Sequence, residues 1–287
     1  MDDLYPFTPH SIDLDGNRLS FLDEGKGRTV VMLHGNPTWS FYYRNLVLQL
    51  RERYRVIVPD HLGCGLSSKP QDYPYLLSNH IQNLQQLLDV LDVREYSLVM
   101  HDWGGAIGMG LACRAPERVR SLVVMNTAAF RSRRIPWRIQ ICRVPWLGAL
   151  LVRGGNLFAR LALSMAVTRP LPAEVARGYL APYNSWQNRI AILRFIEDIP
   201  LSARDSSWKT LTEIEAGLSR FQKTPMLILW GGKDFCFNKS FYDKWKEKFP
   251  FARSRYFADA GHYVLEDAFI EIAQEITLFL NNLDECK

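Results

Sequence analysis

Leu98-Val-Met-His-Asp102-Trp-Gly-Gly105 runs an apolar strand pattern into a polar residue, two glycines and a helical pattern. That is the composition of a sharp strand–turn–helix elbow, whose apex side chain stands at the end of a sheet. Glycines suit the positions after the apex because the turn is tight and the helix must pack closely on the strand. The apex residue is Asp102. A carboxylate is already ionised near neutral pH, so it can attack carbon without a base to activate it. The plainer role for such an aspartate is to cap the helix. Two other segments argue for chemistry: Asp234 in Trp230-Gly-Gly-Lys-Asp-Phe and His262 in Asp259-Ala-Gly-His-Tyr. Each follows a predicted strand or loop end, and the chain order nucleophile, acid, histidine is that of a hydrolase triad.

These residues need a sheet to position them. An Asp15-Gly16-Asn17 turn between two alternating runs predicts a hairpin. Short apolar runs at 29–33, 55–58, 97–100, 121–125 and 226–230 predict buried strands. Helical patterns lie between them at 42–53, 80–91, 106–114 and 239–248, with a last one near 269–280. Alternating β and α predicts an α/β fold with a mostly parallel central sheet and helices on both faces, its sites at the carboxyl ends of the strands. From 131 to 219 the rhythm stops, and helical, proline-punctuated sequence predicts an inserted cap. The expected division is a core of 1–130 and 220–287 and a helical cap of 131–219.

Composition narrows the classes. The chain has 287 residues, 47% hydrophobic and 23% charged, which suits a globular protein and excludes a disordered or collagen-like one. Five scattered cysteines without a CxxC pair argue against a zinc cage or a disulfide framework and for a reducing, cytoplasmic setting. No secretory signal pattern opens the sequence, and no apolar run is long enough to span a membrane. Neither a metal-ligand cluster nor a dinucleotide fingerprint is present, and the expected chemistry needs no cofactor.

His34-Gly-Asn36-Pro, Pro59-Asp-His-Leu-Gly-Cys-Gly-Leu-Ser67, the His101-Asp-Trp-Gly-Gly105 elbow and Ala260-Gly-His-Tyr263 resemble the α/β-hydrolases with an aspartate nucleophile, and among them the haloalkane dehalogenases. The resemblance covers nearly the whole chain. It implies an α/β-hydrolase fold, with Asp102 as nucleophile, His262 as base and Asp234 as the acid that orients it. It also implies a halide site made by the Asn36 amide and the Trp103 indole, and an oxyanion hole from the backbone N–H groups of the same two residues. In some dehalogenases the acid ends the strand that here finishes at Asn126, an amide, so the role falls to Asp234. That combination fits the third branch of the family, which includes the β-lactone decarboxylases of long-chain olefin biosynthesis. Segments 126–130, 181–190 and 194–201 resemble those decarboxylases.

The leading expectation is therefore hydrolytic cleavage of an alkyl halide. Asp102 displaces halide to form an alkyl ester, and His262 draws a proton from the water that hydrolyses it. The alternative is decarboxylation of a β-lactone by the same residues. An epoxide hydrolase would need cap tyrosines such as Tyr179 and Tyr183 to protonate the ring oxygen, and Asn36 argues against it. A non-catalytic binding module is the last reading, disfavoured by a complete triad. Expected ligands are a small apolar substrate and a halide ion. Trp39 and Trp186 read as packing residues, and Glu266 and Asp267 as structural acids at a helix start. Glu197 and Asp198 read as surface or cap-hinge residues. Phe130, Trp137, Leu161, Met165 and Ile196 are candidates to line an apolar pocket.

Charge adds one more feature. From Arg131 to Arg169 there are eight arginines and no Asp, Glu or Lys, within a chain of net charge +5. The apolar residues between them oppose nucleic-acid binding. They suit self-association, a protein partner or a membrane surface, or simply a solvated arginine face over an inward-packed helix.

Overall fold

The computed structural model describes residues 3–285, so Cys286 and the first two residues of the opening segment lie outside it. Strands β1 (His10–Leu14) and β2 (Asn17–Glu24) form the expected hairpin. Leu14 pairs with Asn17, leaving Asp15-Gly16 as a two-residue loop with φ of 52° and 82°. Positive φ at both positions gives the turn whose twist matches the flanking strands. The sheet continues with β3 (Thr29–Leu33), β4 (Arg55–Pro59), β5 (Tyr96–Asp102), β6 (Val119–Thr127), β7 (Met226–Gly231) and β8 (Arg253–Phe257). Its order is β1-β2-β4-β3-β5-β6-β7-β8, with β3 to β8 parallel. All seven residues of β5 are buried, as a strand covered on both faces must be.

Helices α1 (Arg44–Leu50), α2 (Leu77–Val90) and α3 (Trp103–Arg114) follow β3, β4 and β5, while α10 (Lys239–Lys248), α11 (Val264–Asp267) and α12 (Phe269–Glu285) close the chain. Between β6 and β7 the described residues contain no strand. They form α4 (Trp137–Ile141), α5 (Pro145–Gly148) with a π-helical continuation (Ala149–Gly154), α6 (Leu157–Met165), α7 (Ala173–Leu180), α8 (Ile190–Glu197) and α9 (Trp208–Gly217).

Two elements depart from expectation. The predicted helix at 42–53 starts as a 3-10 turn at Ser40 and ends at Leu50. Strand β8, Arg-Ser-Arg-Tyr-Phe, has no apolar run; it is an edge strand, and its arginines face Glu275 of α12 rather than a core. Asp198, expected at the surface or at a cap hinge, is not at the surface. It is buried, accepts from the Leu77 N–H that starts α2 and from the Ser207 hydroxyl, and burial pushes its pKa up to about 6. Glu197 beside it pairs with Arg194 at the surface.

The helices of the insert are tied to the core behind the histidine loop. Arg44 of α1 holds Glu266 of α11 at 2.6 Å, both side chains nearly buried, and the Tyr179 hydroxyl of α7 donates to the same carboxylate. Asp267 accepts from Thr168 N–H at 3.0 Å and Gly261 N–H at 2.7 Å, and Tyr263 N–H donates to the Ala166 carbonyl at 2.7 Å. Glu266 and Asp267 are structural, and what they join is the insert and the loop that carries His262.

Candidate active site

Asp102 ends β5 at φ 51°, ψ −125°, a backbone conformation side chains rarely adopt. The strain aims its carboxylate out of the sheet's carboxyl edge. A Cβ on Gly104 would strike the Leu33 carbonyl, so the helix can follow only with glycine there. Gly35 is required for another reason: its missing side chain leaves the space that the Asp102 carboxylate fills.

The two carboxylate oxygens face different partners. Oδ1 accepts the Asn36 backbone N–H at 2.7 Å. The Trp103 backbone N–H also supports the carboxylate. Oδ2 lies 3.6 Å from His262 Nε2. On its other side His262 Nδ1 is 2.8 Å from Asp234 Oδ2, which fixes the ring with Nδ1 as donor. Thus Asp102, His262 and Asp234, far apart in sequence, meet at the ends of β5 and β7. Burial would depress the His262 pKa, but Asp234 and Asp102 outweigh it and raise the pKa above its ordinary value. Burial raises Asp102, partly offset by His262 and the two N–H groups.

Two positioning residues escaped the sequence reading. Asn126, at the end of β6, donates through Nδ2 to Asp234 Oδ2 at 2.9 Å and to the Gly231 carbonyl, and its Oδ1 accepts the Gly231 N–H. Asp234 Oδ1 meanwhile accepts the Cys236 and Phe237 N–H groups. Every donor on this buried carboxylate therefore comes from a fixed part of the fold. His101 is the other. Its Nε2 lies 2.8 Å from the His262 carbonyl, which can only accept, so the ring is a fixed donor beneath the base. Its place beside Asp102 in the elbow motif was the available signal.

Asn36 and Trp103 both line the cavity beside Asp102 and His262. The Asn36 amide gives one N–H to the Ile192 carbonyl at 3.1 Å, leaving its second uncommitted. The Trp103 indole N–H has no hydrogen-bond partner among the described residues. Two donors thus remain for an anion formed at this end. The cavity holds about 1100 Å³ of empty space, mouth included. Beyond the catalytic end its walls are largely apolar, with Phe130, Ile139, Phe158, Ile196, Leu201 and Leu211 among them.

Of the candidate pocket residues, Phe130 and Ile196 line it. Trp137 and Leu161 do not: they are 65% and 48% exposed, because α4 and α6 turn Ile139, Phe158 and Ala162 inward instead. Met165 is not in the lining either. Tyr179 and Tyr183 are unavailable as acids for an epoxide. Tyr179 is spent on Glu266 and Tyr183 on the Thr38 carbonyl, and neither lines the cavity. Trp39 is buried and donates to the Gly178 carbonyl, a packing role; Trp186 is 42% exposed. No group of three or more His, Cys, Asp or Glu side chains that could hold a metal occurs among the described residues.

Residues 28–269 match the family model described as the alpha/beta hydrolase fold, and the chain belongs to that family. It is 48% identical, over 99% of its length and 92% of the relative's, to the cis-3-alkyl-4-alkyloxetan-2-one decarboxylase of Shewanella oneidensis. The enzyme of that name from Xanthomonas campestris is 43% identical over 96% of this chain and 97% of its own. Haloalkane dehalogenase 2 of Mycobacterium tuberculosis is 31% identical, with 95% of each chain covered. Among solved structures, haloalkane dehalogenase DatA of Agrobacterium tumefaciens C58 superposes with a TM-score of 0.86 at 26% identity, covering 96% of this chain and 97% of that one. These likenesses bear out the resemblance carried by the motifs, to the dehalogenase branch that includes β-lactone decarboxylases.

Proposed function

We propose that this chain is a β-lactone decarboxylase, which opens a cis-3,4-dialkyl oxetan-2-one and releases an alkene and carbon dioxide. The observation that carries it is the order of likeness: 48% and 43% identity to relatives named for that reaction, against 31% to a dehalogenase. The order of the two expectations is thereby reversed, and alkyl halide hydrolysis becomes the second reading. The cavity suits the lactone, with polar groups at one end and apolar walls for two alkyl substituents.

The geometry favours attack at C4 of the ring. Asp102 Oδ1 already occupies the backbone N–H of Asn36, at 2.7 Å. A lactone carbonyl attacked at C2 would develop its negative oxygen without that donor. Attack by Oδ2 on the sp³ carbon C4 instead breaks the C4–O1 bond and leaves a carboxylate. The Trp103 indole and the free Asn36 N–H can receive that charge. The electron pair of the C2–C3 bond then forms C3=C4, the Asp102 oxygen leaves, and carbon dioxide departs. Asp102 is restored, and neither water nor an oxidant is consumed. Backside attack sets the ester anti to the carboxylate, so anti fragmentation converts a cis ring into a cis alkene without bond rotation. His262, held toward its protonated form, stabilises the departing Asp102 carboxylate.

The second reading rests on the uncommitted indole and amide donors, which would suit a halide equally. Turnover in ¹⁸O-water, followed by mass analysis of the Asp102 peptide, separates the two. The lactone should give cis alkene with Asp102 unlabelled. Hydrolysis of 1-bromohexane would instead deposit solvent oxygen in Asp102, because water attacks the ester carbonyl. Label in Asp102 during lactone turnover, or a β-hydroxy acid product, would mean that the ester is hydrolysed rather than fragmented, and would sink the decarboxylation. Rapid bromide release without alkene formation from the lactone would return the chain to the dehalogenases.

A further inference from the structure

The helical insert carries a surface that the chemistry does not use. Eight of the twelve large apolar side chains exposed among the described residues lie between Trp137 and Trp186. Trp146 and Leu150 are one turn apart on α5 and its continuation, and Leu157 and Leu161 one turn apart on α6, so each pair shares a helix side. Leu150 and Trp186 converge over Gly154, with atoms 3.4 and 3.6 Å from where its Cβ would be. Arginines are interleaved with them. Arg138 stacks on Trp137 at 4.9 Å and Arg153 on Trp186 at 4.7 Å.

Charge indicates what covers this face. Arg133, Arg138 and Arg160 are exposed and make no ion pair among the described residues. Asp205, Glu215 and Glu197 are already engaged, by Arg143, Arg131 and Arg194. The stretch from Arg131 to Arg169, which carries all of these apolar side chains but Trp186, holds no acid, so a second copy docking through it would set arginine against arginine.

We infer that this face docks on an anionic lipid surface. Tryptophans suit the headgroup level of a bilayer, apolar side chains enter its edge, and unpaired arginines meet lipid phosphates. The elements bearing the surface also wall the cavity, with Ile139 from α4 and Phe158 and Ala162 from α6. An apolar substrate held among acyl chains would therefore lie one helix thickness from the cavity. The surface stands whichever bond the site breaks.

Flotation of the purified full chain with phosphatidylcholine vesicles, with and without phosphatidylglycerol, tests this. Affinity should be about tenfold or more higher on the anionic vesicles and fall as salt is raised. Trp137→Ala/Trp146→Ala should weaken binding roughly tenfold. Its turnover of a substrate dispersed without vesicles should match wild type, since neither side chain lines the cavity. Arg138→Glu/Arg160→Glu should abolish flotation. A wild-type chain that ignores anionic vesicles at low salt overturns the inference. So does a tryptophan variant that floats as wild type does. A sedimenting dimer that the tryptophan variant breaks into monomers would assign the face to a second copy instead.

Discussion

On the sheet side of the cavity, polar side chains are each held by several fixed partners; on the helical side, apolar side chains touch the cavity by shape alone. Asp234 alone receives Asn126, His262 and two backbone N–H groups. Ile139, Phe158 and Ala162 offer no hydrogen bond to a ligand. A hydrogen bond to a charged group contributes about 1.5–3 kcal/mol and depends steeply on geometry, whereas one methylene contributes about 0.8 kcal/mol and tolerates displacement. The sheet side should therefore govern whether a bond breaks, and the helical side which molecule is held there.

The largest expected effect is that of Asp102→Asn, which removes the proposed nucleophile while keeping its size. Turnover of the preferred substrate should fall by at least about 10⁴-fold. Circular dichroism should show the fold retained, and residual activity near wild type would contradict covalent catalysis.

Asn126→Ala sharpens the comparison, because it touches no ligand. Losing one donor on a buried carboxylate costs about 1–3 kcal/mol, a tenfold to hundredfold loss in rate if it falls on the transition state. With less of its charge shared, Asp234 should hold the His262 proton more tightly. Imidazole NMR can follow this, since His34, His61, His80 and His101 are all pushed below the ordinary range by burial and only His262 among the buried rings is raised. Asn126→Ala should move the His262 midpoint further up in pH; a midpoint unchanged or lowered would reduce Asn126 to packing.

The smallest effect belongs to the helical side. Ile139→Phe should lower kcat/KM by a few-fold for substrates with the longest alkyl groups and hardly at all for the shortest. An equal loss for every length would mean that this wall also positions the reacting atoms.

The catalytic end was legible in sequence because each residue sits in a local pattern: a strand, a polar apex, glycines. Asn126 was passed over because it was weighed as an acid and is an amide, and its value lies in donating to an acid 108 residues further along the chain. Strand β8 hid because its pairing faces Glu275 and solvent, so no apolar alternation marked it. Trp137 and Leu161 were placed in the pocket on residue type; helices as short as α4 have too few turns for periodicity to say which side faces in. Asp198 was read as a surface or cap-hinge acid because nothing local reveals that it meets the start of α2, 121 residues earlier.

The bond from Tyr263 to Ala166 and the two grips of Asp267 join the insert to the chain on either side of His262. Mechanically they are a brace, set where the insert passes His262. The far edge is tied as well, since Arg134 donates to the Ser240 hydroxyl of α10 at 3.0 Å, so the insert is held to the core on both sides of the cavity. The walls that hold an apolar ligand and the loop that holds His262 thus share one frame, and a shift in either is felt by the other.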